Sequence, residues 1–197
     1  MKSISTLKNE AKESLRGKWG SAAIVTLLFC IVSGCTCGAP GLGYFFLALP
    51  LEFGFSIAFL RLLHGDAEML DNTFSSSFES YLHKVGTGAL RWLYVFLWSL
   101  LLIVPGIIKS FAYAMVPYIL EESPSLSAEQ TLDLSSAMMK GHKMDLFLMY
   151  LSFIGWAILC LFTLGIGYLF LTPYVRATTA AFYEDVKEEY YSSGSAQ

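Results

Sequence analysis

Six long apolar runs, roughly 20–37, 41–62, 88–104, 106–121, 145–163 and 166–183, occupy most of the chain. A soluble core cannot hide that much contiguous apolar chain, whereas a bilayer can. At about 1.5 Å per residue most of the runs approach the roughly 30 Å of hydrocarbon that a span must cross. Lipid offers backbone groups no hydrogen-bond partner, so only helices and closed barrels survive there. The strand alternation of a barrel is absent. The sequence therefore predicts an all-α, polytopic transmembrane helical bundle. Composition agrees: 55% of residues are hydrophobic and 15% charged, against roughly a quarter charged in soluble domains.

Three joints between the runs are short and rich in turn residues: Cys37-Gly38-Ala39-Pro40-Gly41, Pro105-Gly106, and Thr163-Leu164-Gly165-Ile166-Gly167. Glycine supplies the left-handed turn and proline stops the helix before it, so each joint reads as the tip of a helical hairpin. The other two connections, about 63–87 and 122–144, are long and polar. Of 13 Lys and Arg, all but Lys109 and Arg176 fall in the termini or the long connections or within a few residues of them. Among the acidic residues only Glu52 lies deep within a run, Glu121 and Asp145 standing at run ends. Basic residues near span ends stay cytoplasmic, so both termini and both long connections are expected in the cytoplasm of a bacterial inner membrane. Read as a kink, Pro105-Gly106 would leave five spans and place Lys140 and Lys143 outside; the positive-inside rule favours six.

The polar connections carry apolar stripes at helical spacing: Leu7, Ala11 and Leu15 leading to Trp19, and Phe74, Phe78, Leu82 and Val85. A third stripe starts at Ser127, where Gln130 completes a capping box, and stops at Gly141. Such helices lie at the cytoplasmic interface, with lysines toward headgroups, or cap the bundle's end. Each is followed by a basic residue, a span, a glycine turn and a second span, beginning at Lys18-Trp19, Arg91-Trp92 and Lys143. These five residues, together with Lys109, are candidate interfacial anchors. Gly41-Leu-Gly-Tyr-Phe-Phe-Leu-Ala-Leu-Pro50 matches Gly165-Ile-Gly-Tyr-Leu-Phe-Leu-Thr-Pro173 with one gap. The chain thus reads as one membrane domain, 1–186, built of three parallel hairpin repeats at about 1–63, 70–122 and 125–186, with a polar tail at 187–197.

Away from the cytoplasmic span ends, three charges sit inside the spans: Glu52, Lys109 and Arg176. A mid-membrane charge costs at least about 2.5 kcal/mol on insertion scales and normally has a partner or a wet cavity. Glu52 and Arg176 each lie eleven residues past their turn glycines, near the bilayer midplane, with opposite signs at near-equivalent repeat positions. They are expected to form an ion pair within the bundle. Lys109 lies three residues past Gly106 and is expected to snorkel to the external surface.

No phosphate-binding loop, zinc-binding His-Glu-x-x-His or Gly-x-Ser-x-Gly elbow occurs, so no catalytic residue, metal site or cofactor is expected. A net charge of -3 argues against nucleic acid as a partner. Cys30 and Cys160 sit in apolar runs, while Cys35 and Cys37 lie in an expected external turn without further ligands nearby. Val32-Ser33-Gly34-Cys35 has the look of a lipobox. The preceding basic region is long for a signal and contains Glu10 and Glu13, so the segment reads as a retained span.

The stretches Ser99-Leu-Leu-Leu-Ile-Val-Pro-Gly-Ile-Ile-Lys109, Pro117-Tyr-Ile-Leu120 and Met139-Lys-Gly-His-Lys143 stand out, with Ser152-Phe-Ile-Gly-Trp156, Thr163-Leu-Gly-Ile-Gly167, Pro173-Tyr174 and Phe182-Tyr-Glu184 after them. Over about 90–186 they give the chain a form that resembles the bacterial membrane family catalogued as domain of unknown function 975. The resemblance implies a cytoplasmic-membrane protein and lends no activity. The expected role is non-enzymatic: organising or binding membrane components, with the lipid bilayer, other membrane proteins or a second copy of the chain as partners. The alternative is a small channel or transporter with a midplane Glu52–Arg176 polar site.

Overall fold

A computed structural model describes residues 2–36, 49–65, 81–101, 103–163 and 165–194, all of it helix and turn with no strand among the described residues. The helices are α1 (Ile4–Ser14), α2 (Trp19–Thr36), α3 (Leu49–Leu63), α4 (Tyr81–Leu101), α5 (Ile103–Ala112), α6 (Val116–Glu122), α7 (Ala128–Met138), α8 (Lys143–Phe162) and α9 (Tyr168–Gly194). The first hairpin turn with Cys37, the first half of the second span and most of the Phe74–Val85 stripe lie outside the described residues.

Local signals place several boundaries where the sequence puts them. Ser127 Oγ accepts the Gln130 N–H at 3.2 Å and Gln130 Oε1 accepts the Ser127 N–H at 2.9 Å, so the capping box starts α7. Gly165, at φ 85°, turns the chain between α8 and α9. One end differs. Residues 187–194 are not a separate tail but continue α9 through Gly194, where Lys187 pairs one turn back with Glu184 at 2.9 Å.

The central hairpin is a true reversal. A Cβ built on Gly106 would lie 2.8 Å from the Ser99 Cα, so α4 and α5 approach with almost nothing between their backbones. Tyr94 and Tyr113 then face each other with ring centroids 6.4 Å apart, and Lys84 faces Glu121 at 3.7 Å. Together α5 and α6 run antiparallel to α4 over its length. The turn at 113–115 and Pro117 break what the sequence reads as one span into two helices.

Cross-contacts align the helix ends. Along α9, Arg176 meets Ser56 of α3, Thr179 meets Tyr150 of α8, Tyr183 meets Glu122 of α6 and Glu189 meets His142 before α8. So α3, α5–α6 and α9 run one way while α4 and α8 run the other; α2 starts at Trp19, beside Phe170 and Tyr174. Helices α3 and α9 form the centre of the core, with Phe55, Phe59 and Leu62 packed with Ala177, Ala181 and Phe182. The small Ala177 and Ala181 let α3 come close.

Two of the amphipathic helices pack along other helices of the bundle. Helix α1 docks lengthwise on α9: the Lys2 N–H donates to Asp185 at 2.7 Å, and Trp19 at the far end sits 6.5 Å from Phe170 and 6.4 Å from Tyr174. Its apolar stripe of Leu7, Ala11 and Leu15 is fully buried, and burying that stripe against α9 orients the helix. Helix α7 folds back on the central hairpin, where the Ser135 hydroxyl donates to the Ala112 carbonyl at 2.8 Å. That bond occupies a carbonyl freed by the break after α5.

Among the described residues one helix, Lys143–Phe162, is long and apolar enough to cross a membrane, and Trp19–Ile31 is a shorter apolar helix. Only 17% of the apolar window of α8 is buried. The helix is thus unlike a soluble core helix, which hides its apolar surface.

Candidate functional site

The two charges of opposite sign that the sequence pairs, Glu52 and Arg176, come together. Arg176 on α9 donates to Ser56 Oγ at 3.1 Å, its second nitrogen lies 3.9 Å from a Glu52 oxygen, and its guanidinium sits 5.5 Å from the centre of the Phe55 ring. Ser56 in turn donates to the Glu52 carbonyl at 3.0 Å. Positions 52, 55 and 56, about one turn of α3, therefore present a carboxylate, a ring and a hydroxyl to one cation. The close bond is to Ser56, and the carboxylate pairs loosely. Both charged side chains keep more than a quarter of their surface exposed, 30% for Arg176 and 27% for Glu52.

A second polar cluster joins the helix ends near residues 61–64, 84, 121–122 and 183–187. Glu121 pairs with Arg61 and lies 3.7 Å from Lys84, whose side chain is only 3% exposed. Glu122 accepts from Lys187 at 2.6 Å and from the Tyr183 hydroxyl at 2.7 Å. Glu184 reaches Lys187 at 2.9 Å and His64 at 3.1 Å. The ring of Tyr183 stacks on Tyr118 with centroids 5.0 Å apart, which fixes the hydroxyl toward Glu122. This collar clamps α3, α4, α6 and α9 at one end. Sequence reading missed it, because its members are some sixty residues apart; the adjacent carboxylates closing the fourth span were the available signal.

Lys187 carries a testable electrostatic consequence. Burial pulls its pKa down, but hydrogen bonds to Glu122 and Glu184 and their negative charges outweigh this and raise it above the ordinary lysine value. A raised native pKa stabilises the fold fully below the unfolded-state value and loses that contribution as pH rises through the native value. Lys187→Gln should therefore melt lower than the parent at neutral pH. The difference should hold to about pH 10 and close only at higher pH, as followed by melting curves in detergent.

The other candidate residues are dispersed. Lys109 does not snorkel away from the bundle: its ammonium lies 5.2 Å from the Trp98 ring centre and 5.5 Å from that of Tyr113. It shares a 290 Å³ crevice with Glu129 and Asp133 of α7, because α7 folds back over α5. Trp19 is not beside Lys143 at the collar end of the hairpin but near its opposite end, at Phe170 and Tyr174, since α1 carries the chain down α9; Lys18 precedes it in the turn after α1. Arg91 is half-buried on α4, and Trp92 is 46% exposed and stacked on Phe96 at 5.1 Å. Lys143 opens α8, half-buried. No group of three metal-binding side chains occurs among the described residues.

A family model described as "Protein of unknown function (DUF975)" matches residues 90–190, just over half of the chain. The chain belongs to that family. The matched stretch holds Arg176, Glu121, Glu122, Tyr183 and Lys187, whereas Glu52, Ser56, Arg61, Lys84 and all of α1 lie outside it. The DUF975 segment thus contributes one side of each polar cluster. No curated protein and no solved structure matches the chain.

Proposed function

We propose that this protein is a non-enzymatic integral protein of the bacterial cytoplasmic membrane, which binds or organises membrane components, lipid or protein. In this reading the hairpins α4–α6 and α8–α9 embed in the bilayer, both termini face the cytoplasm and the collar lies at the cytoplasmic end, while α1 runs beside α9 and brings Lys12 and Trp19 to the opposite end rather than keeping them in the cytoplasm. The observation that carries it is the exposed apolar surface of α8 and α4. Leu151, Ile154, Trp156, Ile158 and Leu161 on α8 are 47% to 65% exposed, and Phe96 and Leu97 on α4 are about half exposed. Such contiguous apolar surface is unfavourable in water and neutral in lipid. The Lys2–Asp185 bond supports a shared side for the two termini. The test is extraction: the protein should stay in the membrane pellet after washing with alkaline carbonate and leave it only in detergent, and release by carbonate would refute the reading.

A small channel or transporter is the second reading, and the part-exposed Arg176–Ser56–Glu52 group favours it. Arg176→Met separates the two. Loss of the Ser56 bond and the loose pair should cost about 1–2 kcal/mol if the group only ties α3 to α9. Melting in detergent would then fall by a few degrees while proteoliposome permeability stays the same. A permeability that depends on Arg176 would favour transport.

A further inference from the structure

Two cavities meet where α1 reaches the far part of the α8–α9 hairpin. One is polar, 440 Å³, lined by Asn9, Lys12, Glu13, Arg16 and Trp19. The other is 390 Å³ and almost wholly apolar, with Trp156, Leu159, Phe170 and Leu171 among its walls. Lys12 and Trp19 line both, so the two adjoin at these side chains, one charged and the other hydrocarbon-like. Each has the size of a small-molecule site.

The charges select the occupant. Lys12 and Arg16 are exposed and make no ion pair among the described residues, while Glu13 is the sole carboxylate on the wall, leaving a net positive mouth. A soluble anion would satisfy the two cations and leave the apolar chamber empty. A neutral lipid would fill the chamber and leave the cations without counter-charge. A ligand with an anionic group joined to a hydrocarbon chain satisfies both. The apolar chamber is bounded by Trp156, Leu159 and Phe170, which are 58%, 56% and 48% exposed on the outer face, so a chain can enter sideways from surrounding lipid.

We propose that the adjoining cavities bind one anionic phospholipid, its phosphate held by Lys12 and Arg16 and an acyl chain laid between Trp19 and the Trp156–Phe170 wall. Basic pockets between membrane helices recognise anionic headgroups in this way, and the rim tryptophan suits the boundary between head and chain. The proposal rests on the membrane reading and adds headgroup selectivity at a defined place.

Brominated lipids test it, because bromine quenches a tryptophan that it touches. The full chain carrying Trp92→Phe and Trp98→Phe keeps Trp19 and Trp156 as its remaining tryptophans. In nanodiscs, dibrominated phosphatidylglycerol at a low mole fraction should quench with about a tenfold advantage over dibrominated phosphatidylcholine at the same fraction, the gain of roughly one or two headgroup contacts. Lys12→Gln with Arg16→Gln should bring the two lipids to parity; both side chains are exposed, and unchanged circular dichroism verifies the fold. Equal quenching in the parent, or a preference that survives the double replacement, overturns the site while leaving the membrane reading intact. Displacement of the lipid by millimolar glycerol phosphate would make this a soluble-anion site and also overturn it. Quenching by neither lipid would sink both the site and the membrane reading.

Discussion

Gly106→Ala is expected to force the central hairpin apart and to lower the melting temperature in detergent by several degrees. The added methyl would lie 2.1 Å from Ser99 Oγ and 2.8 Å from Ser99 Cα. A hydroxyl can rotate away, but a backbone atom cannot, so α5 must move off α4. Overpacking of this kind costs about 1–3 kcal/mol, and in a chain of this length each kcal/mol is worth roughly 2–4 °C. Ser99→Gly removes both the hydroxyl and the β-carbon on the facing helix and should recover part of the loss when combined with Gly106→Ala. A double-mutant cycle with a clear coupling energy supports the reversal. Strict additivity would support a kinked continuous helix instead, and with it the five-span topology.

Glu121→Ala is the second large effect. This carboxylate is shared by Arg61 and Lys84, and Lys84 is almost completely enclosed. Breaking one partner out of a buried ion pair costs about 3–5 kcal/mol. Arg61 keeps about a third of its side chain exposed, which lets water take up part of its charge and brings the expectation to roughly 2–3 kcal/mol. Glu121→Gln keeps the shape and a hydrogen-bond acceptor and should lose about half as much. The drop should appear as earlier thermal unfolding in detergent. A change below a few tenths of a kcal/mol would mean that the collar is solvated and holds nothing together.

Patterns that act within a few residues were legible in the sequence, and so was the one long-range pair that repeat symmetry brought into view. The α7 capping box needs only Ser127 and Gln130, and the turn at Gly165 needs only one residue able to take positive φ. Glu52 and Arg176 could be matched because equivalent repeat positions fall at equal depths. The collar had no such symmetry: nothing in the neighbourhood of Arg61 or Lys84 points to Glu121, and its carboxylates read as ordinary span-end charges.

The amphipathic helices show where pattern reading stops. The stripe of Leu7, Ala11 and Leu15 says that one face is covered, not by what. A membrane surface and the side of α9 satisfy the same periodicity, and the structure uses α9. Lys109 was misplaced for a related reason. Its depth counts from Gly106 as though the turn lay there, whereas α5 already begins at Ile103 and α7 then folds back beside α5. Counting residues along a helix also says nothing about a neighbour that arrives from elsewhere in the chain.

Site-directed labelling tests the central claim, an embedded bundle with its collar in the cytoplasm, most directly. In a variant lacking the four native cysteines, Ile166→Cys, Ser125→Cys and Ser192→Cys would be treated one at a time with a membrane-impermeant maleimide. All three parent side chains are exposed. In intact spheroplasts Ile166→Cys should label, while Ser125→Cys and Ser192→Cys should label only after permeabilisation. Labelling of Ser125→Cys or Ser192→Cys from outside, or equal protection of all three, would contradict the orientation on which the account rests.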